Sequence, residues 1–338
     1  MSVGIDIGNK SIKLVETEKD GNSFKLKASG IVSYKGLSPE VAKEGKELSE
    51  ISGVIKKLVK EAKVSSKDTV LSLPESQVFS RVVKFPLLTD SEIASAVKWE
   101  AEQYIPIPIN EAILQHQVIE KREDTSPPQT YVLLVAASKE LVGRYAKIIE
   151  MSGLKLTAIE PELMSLVRAL APENQTVMIV DFGARSTDIA ISKNAMLTFS
   201  RSIPTAGDAF TRSVSQGLGI ELQQAEEYKK TYGLSAQKLE GKVKTSLDTV
   251  FRMVSDEMKK AIHFYINDEK SESPKSVILA GGTSMMPEAA STLTNLLGME
   301  VVVGNPFSKL KISPEAAKSL SGYAPLYSIA VGLSLREE

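Results

Sequence analysis

The chain has 338 residues, 42% of them hydrophobic, and a formal net charge of -1, the profile of a globular protein of about two domains. Near-neutrality leaves no global field to attract nucleic acid or an anionic membrane, and no apolar run reaches the roughly 18–20 residues that span a bilayer. Cys is absent and the two His, His116 and His263, lie far apart, which removes disulfides, thiolate zinc sites and Cys nucleophiles and leaves no His pair with ligand spacing.

The N-terminus lacks a basic region followed by an apolar stretch, so no signal peptide is expected. Val3–Glu16 alternates apolar and polar residues up to Asp6 and Gly8, turns at Asn9-Lys10-Ser11, and resumes alternation at Ile12 and Leu14. This predicts two strands joined by a tight turn, with a carboxylate at the strand end and a glycine that lets another group approach the backbone. Taken alone, a plain hairpin explains the stretch as well as a ligand does.

Phe24–Tyr34 reads as a further strand, and Gly36–Gly45 as a polar connection. Ile51, Val54, Ile55, Leu58, Val59 and Ala62 follow the one-face helical pattern, and Thr69–Leu73 reads as a buried strand ended by Pro74. That order suggests a mixed sheet with a covering helix.

Residues from about 84 to 155 read as a small inserted lobe. Thr89-x-x-Glu92 is a capping box that opens a helix running to Tyr104. Its stripe is Ile93, Val97, Ala101 and Tyr104, while Trp99 projects to the other side among Glu92, Ser95 and Gln103. Trp99 either packs against the neighbouring lobe or lines a partner groove. Strands Glu111–Glu120 and Tyr131–Ala136 flank a charged, Pro-rich connector, Lys121–Gln129, and a helix carrying Leu141, Tyr145 and Ile148 stops at Gly153.

Leu154–Ile159 returns to strand pattern, and Glu160-Pro161-Glu162 is expected to open a helix. Met178–Ser192 then repeats the first hairpin: aligning Asp6-x-Gly8 with Asp181-x-Gly183 pairs Ile12 with Thr187 and Leu14 with Ile189. Such self-similarity suggests two related halves facing each other. Met196–Ile203 is a strand, 209–217 and the region of Ala225 are helical, and Leu247 to Tyr265 marks a long amphipathic helix. Lys275–Ala280 and Glu300–Val303 bracket the turn Gly281-Gly282-Thr283 and its following helix. Pro325–Leu335 reads as one apolar helix whose small residues Ser328, Ala330 and Gly332 allow close approach to another helix.

Three strand-end turns in two halves suggest a cleft for a phosphorylated ligand. In this order they resemble the signatures of the actin-like ATPase superfamily: Asp6–Ser11 the first phosphate loop, Asp181-x-Gly183-x-x-x-Thr187 the second, and Val277–Ser284 the adenosine motif. GIDIGNKSIKLVE, VKWEAEQYIPIPINEAI and the ending Ile329–Leu333 are similar to the PilM family of type IV pilus assembly, which is FtsA-like. FtsA usually continues into an amphipathic membrane helix where this sequence stops, which favours PilM.

The resemblance implies an α/β actin-like fold: two RNase H-like halves around a nucleotide cleft, with an inserted lobe. It divides the chain into a first large lobe (1–83, 154–176 and 325–338), the inserted lobe (84–153), a second large lobe (177–204 and 268–324) and a second small lobe (205–267). It implies ATP with Mg²⁺ as ligand. It also implies the N-terminal cytoplasmic segment of the single-pass membrane protein PilN as partner, docked between the first large and inserted lobes. The protein would then sit in the cytoplasm, at the inner face of the membrane through that partner. Pilus platform proteins, motor ATPases and self-association are further partners of this kind.

On the same grounds, the backbone of Gly8, Asn9, Lys10, Ser11, Gly183, Ala184, Arg185 and Ser186 would clasp phosphates, since consecutive inward N–H groups form anion nests. Asp6 and Asp181 would hold Mg²⁺ largely through water. Gly281, Gly282 and Thr283 would meet the adenosine, and Glu226 and Lys229 the ribose and base, although an i,i+3 ion pair also explains those two. Glu160 stands where family ATPases carry a water-positioning acid, or else caps a helix. Asn9 replaces a frequent Ser or Thr, a loss that binding survives better than turnover does. Trp99 and Tyr104 are the partner-facing aromatics. A filament former and a sugar kinase share the fold; the latter needs a carboxylate base, for which Asp68, Asp90 and Asp124 are poor candidates.

Overall fold

The computed structural model describes residues 1–43, 45–123, 126–267 and 271–337; Asp124 lies outside them. Strands β1 (Ser2–Ile7), β2 (Ser11–Asp20) and β3 (Ser23–Ser33) precede helix α1 (Lys46–Glu61) and β4 (Asp68–Leu73). Then come β5 (Val78–Pro86), α2 (Asp90–Tyr104), β6 (Ala112–Arg122), β7 (Gln129–Ser138), α3 (Lys139–Met151), β8 (Lys155–Pro161) and α4 (Glu162–Leu170). The second half runs through β9 (Thr176–Phe182), β10 (Thr187–Lys193), β11 (Met196–Ile203), α5 (Gly207–Leu218), α6 (Leu222–Tyr232) and α7 (Lys242–Asn267). It ends with β12 (Ser276–Ala280), α8 (Ala289–Leu297), β13 (Glu300–Val303), β14 (Leu310–Lys311), α9 (Pro314–Leu320) and α10 (Ser328–Ser334).

The repeat in the sequence is a repeat in topology. One sheet has the order β14-β3-β2-β1-β4-β8 and the other β11-β10-β9-β12-β13. Setting aside the two-residue β14, each is an antiparallel three-strand meander extended by two parallel strands. Both hairpin turns therefore emerge at the same end of their sheets, where α/β folds place ligands.

The central strands are covered on both faces. Val3, Ile5 and Ile7 pack with Leu48, Ile51 and Ile55 of α1 and Tyr145, Ile148 and Ile149 of α3. On the other face, a Cβ on Gly4 would lie 2.2 Å from the Ala330 carbonyl oxygen of α10. The core thus assigns α3 to the first sheet, although the sequence grouped it with the inserted lobe of 84–153. That lobe's sheet, β5-β7-β6, also begins at Val78, so the 83/84 boundary falls inside β5. α2 seals this sheet through Val83, Phe85, Ile93, Val97, Val132 and Leu134, and its capping box at Thr89 and Glu92 is formed.

Two helices sit between the halves. Ile329 and Leu333 of α10 share a core with Leu163, Leu166 and Val167 of α4 and with Ile179 and Ala190 of the second sheet. The expected helix from Pro325 to Leu335 is split: Ser321–Tyr327 is a 3-10 helix containing Pro325, and α10 has only seven residues. Among the described residues, no helix is long and apolar enough to cross a membrane.

Candidate functional site

The two hairpin turns close in the same way. Gly8 N–H donates to the Ser11 carbonyl and Gly183 N–H to the Ser186 carbonyl, each at 3.1 Å. Between them lies a cavity of about 710 Å³, within the range of small-molecule clefts. Of the expected residues, Asp6, Gly8, Asn9, Lys10, Ser11, Asp181, Gly183, Ala184, Ser186, Glu226, Lys229, Gly281, Gly282 and Thr283 all line it. Arg185 is exposed and does not. The Gly8 and Gly183 amides are spent on closing their turns. Lys10 reaches across the cleft to Asp208 of α5 at 2.5 Å, which joins the halves at the rim.

The third turn locks onto the second. Gly281 has φ 77°, and a Cβ there would lie 2.2 Å from Asp181 Oδ1, so this position requires glycine. Thr283 Oγ1 donates to the Gly183 carbonyl at 3.1 Å, and Gly207 N–H reaches the same oxygen at 3.2 Å. Strand ends of β9, β11 and β12 are thereby drawn to one point.

Glu226 and Lys229 form more than a surface pair. The Lys229 ammonium is buried and donates to Glu226 at 2.7 Å, Gly207 O at 2.9 Å and Thr211 Oγ1 at 2.9 Å. Burial pulls its pKa down. Burial alone would raise Glu226, but hydrogen bonds from Lys229 and Thr211 hold it at about 2. A permanent carboxylate thus faces the cleft, next to the apolar wall of Met285, Tyr323 and Leu326.

The floor of the cleft is acidic, and here the halves differ. In the first hairpin Asp6 stands opposite Lys13, whose ammonium donates to Asp6 Oδ2 at 2.8 Å. Burial would lower Lys13, but Asp6 outweighs it and the ammonium is raised. In the second hairpin the equivalent partner of Asp181 is Asp188, a like charge directly across the ladder. Burial first, then Asp188 and Asp6, push Asp181 up to about 7 against the opposing pull of Lys13. Glu162, in the first turn of α4, is driven well above its ordinary value by burial and then by Asp6, Asp188 and Asp181.

Asp6 Oδ1 and Asp188 Oδ1 are buried without a hydrogen-bond partner. Four carboxylates around one ammonium, two with an orphaned oxygen, fit a divalent cation bound with an anionic ligand. Among the described residues no three acidic, His or Cys side chains converge as direct ligands.

Lys13, Asp188 and Glu162 were missed by the sequence reading. Hairpin register holds the signal for the first two: a turn that pairs Ile7 with Ile12 also pairs Asp6 with Lys13, and the repeat carries this to Asp188. Glu160 needs correction. It is the penultimate residue of β8, opposite Ser72, and not the first of a helix. Its oxygens are taken by Arg168 at 2.6 and 2.9 Å and by Arg336 at 2.5 Å, so it ties α4 to the end of α10 outside the cleft. Two residues on, Glu162 lines the cleft instead.

Trp99 is 77% exposed and Tyr104 37% exposed. Trp99 therefore does not pack against a neighbouring lobe, and Tyr104 carries the Arg81 guanidinium 4.0 Å above its ring. Asp68 pairs with Lys155 at 3.6 Å and Asp90 with Lys121 at 3.9 Å, and neither lines the cleft.

Known proteins share this architecture. A solved PilM–PilN type IV pilus biogenesis complex superposes with a TM-score of 0.84 at 26% identity, covering 99% of this chain and 98% of that one. MreB5 of Spiroplasma citri, bound to AMPPNP, superposes with a TM-score of 0.53 at 14% identity over 98% and 94% of the two chains. The cell division protein FtsA of Pseudomonas aeruginosa is 25% identical over 274 residues, 69% of this chain and 63% of FtsA, so the chain spans less than two thirds of that relative. The model of the family described as type IV pilus assembly protein PilM matches residues 4–338. With that match running from the first hairpin to the end of the sequence, the chain belongs to the PilM family of type IV pilus assembly proteins.

Proposed function

We propose that this chain is an ATP-binding scaffold of the type IV pilus inner-membrane platform, and that it holds the N-terminal cytoplasmic segment of PilN. The observation that carries the reading is the pair of identically closed turns facing one cavity from opposite halves. Membership of the PilM family and likeness to a chain solved with PilN support the partner. On this reading the chain sits at the inner face of the cytoplasmic membrane through PilN.

Asp6 and Asp181 would hold Mg²⁺, the remaining amides of 9–11 and 184–186 the phosphates, Glu226 the ribose, and Gly282 and Thr283 the base. ATP with its cation supplies positive charge against the carboxylates and a polyanion that both turns grip. Lys10 would exchange Asp208 for a phosphate that both turns grip, so occupancy replaces a direct contact between the halves with one through the ligand and can draw the cleft closed. Such closure acts on a partner that prefers one lobe arrangement.

Glu160, the acid the sequence offers for positioning water, is engaged by two arginines and does not line the cleft, so turnover is not favoured at that residue.

Isothermal titration with ATP·Mg²⁺ tests the grip. Asp181→Ala and Asp6→Ala are each expected to weaken affinity at least about tenfold, or ~1.4 kcal/mol; undiminished affinity in both overturns the site. Trp99 reports on the partner: its exposed indole should change emission when a PilN N-terminal peptide saturates the protein. Saturation without a spectral change removes Trp99 from the docking surface.

A further inference from the structure

Glu75 follows Pro74 after β4 and is buried, yet it neither lines the cleft nor has an ion-pair partner among the described residues. A buried carboxyl costs several kcal/mol that an apolar side chain would not. Its contacts reach α4, β5 and, through Ser80, β11. Its backbone N–H donates to Glu162 Oε2, in the cleft, at 3.4 Å. Its carboxyl faces the first turn of α4, where the Leu163 amide favours the charged form. The Ser80 hydroxyl of β5 donates to Oε1 at 2.7 Å, and that hydroxyl lies 2.6 Å from Ser200 Oγ on β11 of the second half. The other oxygen, Oε2, has no hydrogen-bond partner.

We propose that Glu75 is a positioning residue that, with Ser80 and Ser200, transmits the state of the cleft to the inserted lobe and so couples ATP binding to partner binding. The inference rests on the scaffold reading above.

Positive charge among Asp6, Asp181, Asp188 and Glu162 turns mutual repulsion into attraction, which draws Glu162 toward the cleft floor. The Glu75 amide then follows its acceptor or loses it, and either shifts the Glu75 carboxyl against Ser80. Ser80 belongs to β5, hydrogen-bonded to β7 and through it to β6, so the sheet moves as a unit. The same interface carries the ion pair of Lys193 with Glu120 at 3.0 Å. Because Ser200 anchors Ser80 to the second half, relative motion of the halves reaches the lobe through this node. An apolar residue at 75 would fill the space but offer no acceptor to pull on.

The test is a coupling ratio, the affinity of a synthetic PilN N-terminal peptide with saturating ATP·Mg²⁺ divided by that without. Wild type is expected to show at least about a fivefold ratio. Glu75→Gln and Ser200→Ala are expected to bring it near one while ATP affinity stays within about twofold. A purely structural role would move both affinities and leave the ratio. Should Glu75→Gln fold poorly, Ser200→Ala, which removes one hydroxyl, decides alone. A preserved ratio in the folded variants overturns the coupling role and leaves the scaffold standing. A wild-type protein that binds neither ATP nor peptide overturns the scaffold reading and this one together.

Discussion

Gly332→Ala is expected to destabilise the protein by about 3 kcal/mol or more, at the upper end of overpacking costs, and to lower Tm by roughly 4 °C. A Cβ at this position would lie 1.9 Å from the Ser165 carbonyl oxygen and 2.5 Å from its carbon. These are backbone atoms of α4, so no rotamer relieves the clash and the two helices must part. α10 lies against the first sheet, and α4 shares its core with the second. Parting them also strains the Arg168 bond to the Gly332 carbonyl at 2.8 Å and the clamp on Glu160. Gly53, exposed within α1 with nothing within 4 Å of its would-be Cβ, is the control. There alanine should stabilise by about 0.5–1 kcal/mol through helix propensity. Thermal melts of the two variants check the contrast; equal shifts would deny the backbone contact between α4 and α10.

The second large effect is a fall in stability as pH rises toward neutrality. Glu75 is pushed up to about 7, chiefly by burial, from an ordinary 4.5, and Asp181 to about 7 from 3.8. A carboxyl with a higher pKa in the folded state keeps its proton after the unfolded chain has released it. The folded protein then binds more protons, and stability declines with pH across that window, roughly 4 to 7. At 1.36 kcal/mol per unit the full effect is about 3 kcal/mol for Glu75 and about 4 kcal/mol for Asp181, and neighbouring acids titrate jointly. Glu75→Gln and Asp181→Asn should each flatten urea midpoints measured between pH 4.5 and 8. Excess Mg²⁺ should restore the Asp181 share of wild-type stability at pH 8, because a cation on the acidic floor replaces the proton lost there. Midpoint curves for both variants running parallel to wild type would contradict the assignment.

The two effects meet in the same place. The α4–α10 crossing holds the halves together behind the cleft, and the acidic floor pushes them apart from within. Lys10 and Asp208 join them at the rim, where a phosphate would compete. A protein arranged this way responds to a bound cation and polyanion by rebalancing three contacts, without any large rearrangement of its cores. That is the behaviour expected of a scaffold whose nucleotide sets lobe geometry.

The sequence by itself determined what is local. Period-two alternation up to Asp-x-Gly specifies a strand and its turn, and the turn's length fixes register, so both hairpins and their likeness were legible. The capping box at Thr89, the stripe of α1 and the small residues of α10 were legible for the same reason. Strand β5 was not, because its alternating residues serve a sheet whose other strands lie further along the chain. The tertiary structure alone decided which of two glutamates two residues apart enters the cleft. Glu160 ends a strand and faces two arginines, one of them 176 positions away, whereas Glu162 begins a helix and faces three aspartates. It alone also showed that Lys229 is buried, that Trp99 is uncovered, and that Glu75 joins β4, α4, β5 and β11. Each depends on which distant surfaces meet, and alternation along one strand carries no record of what lies across the gap.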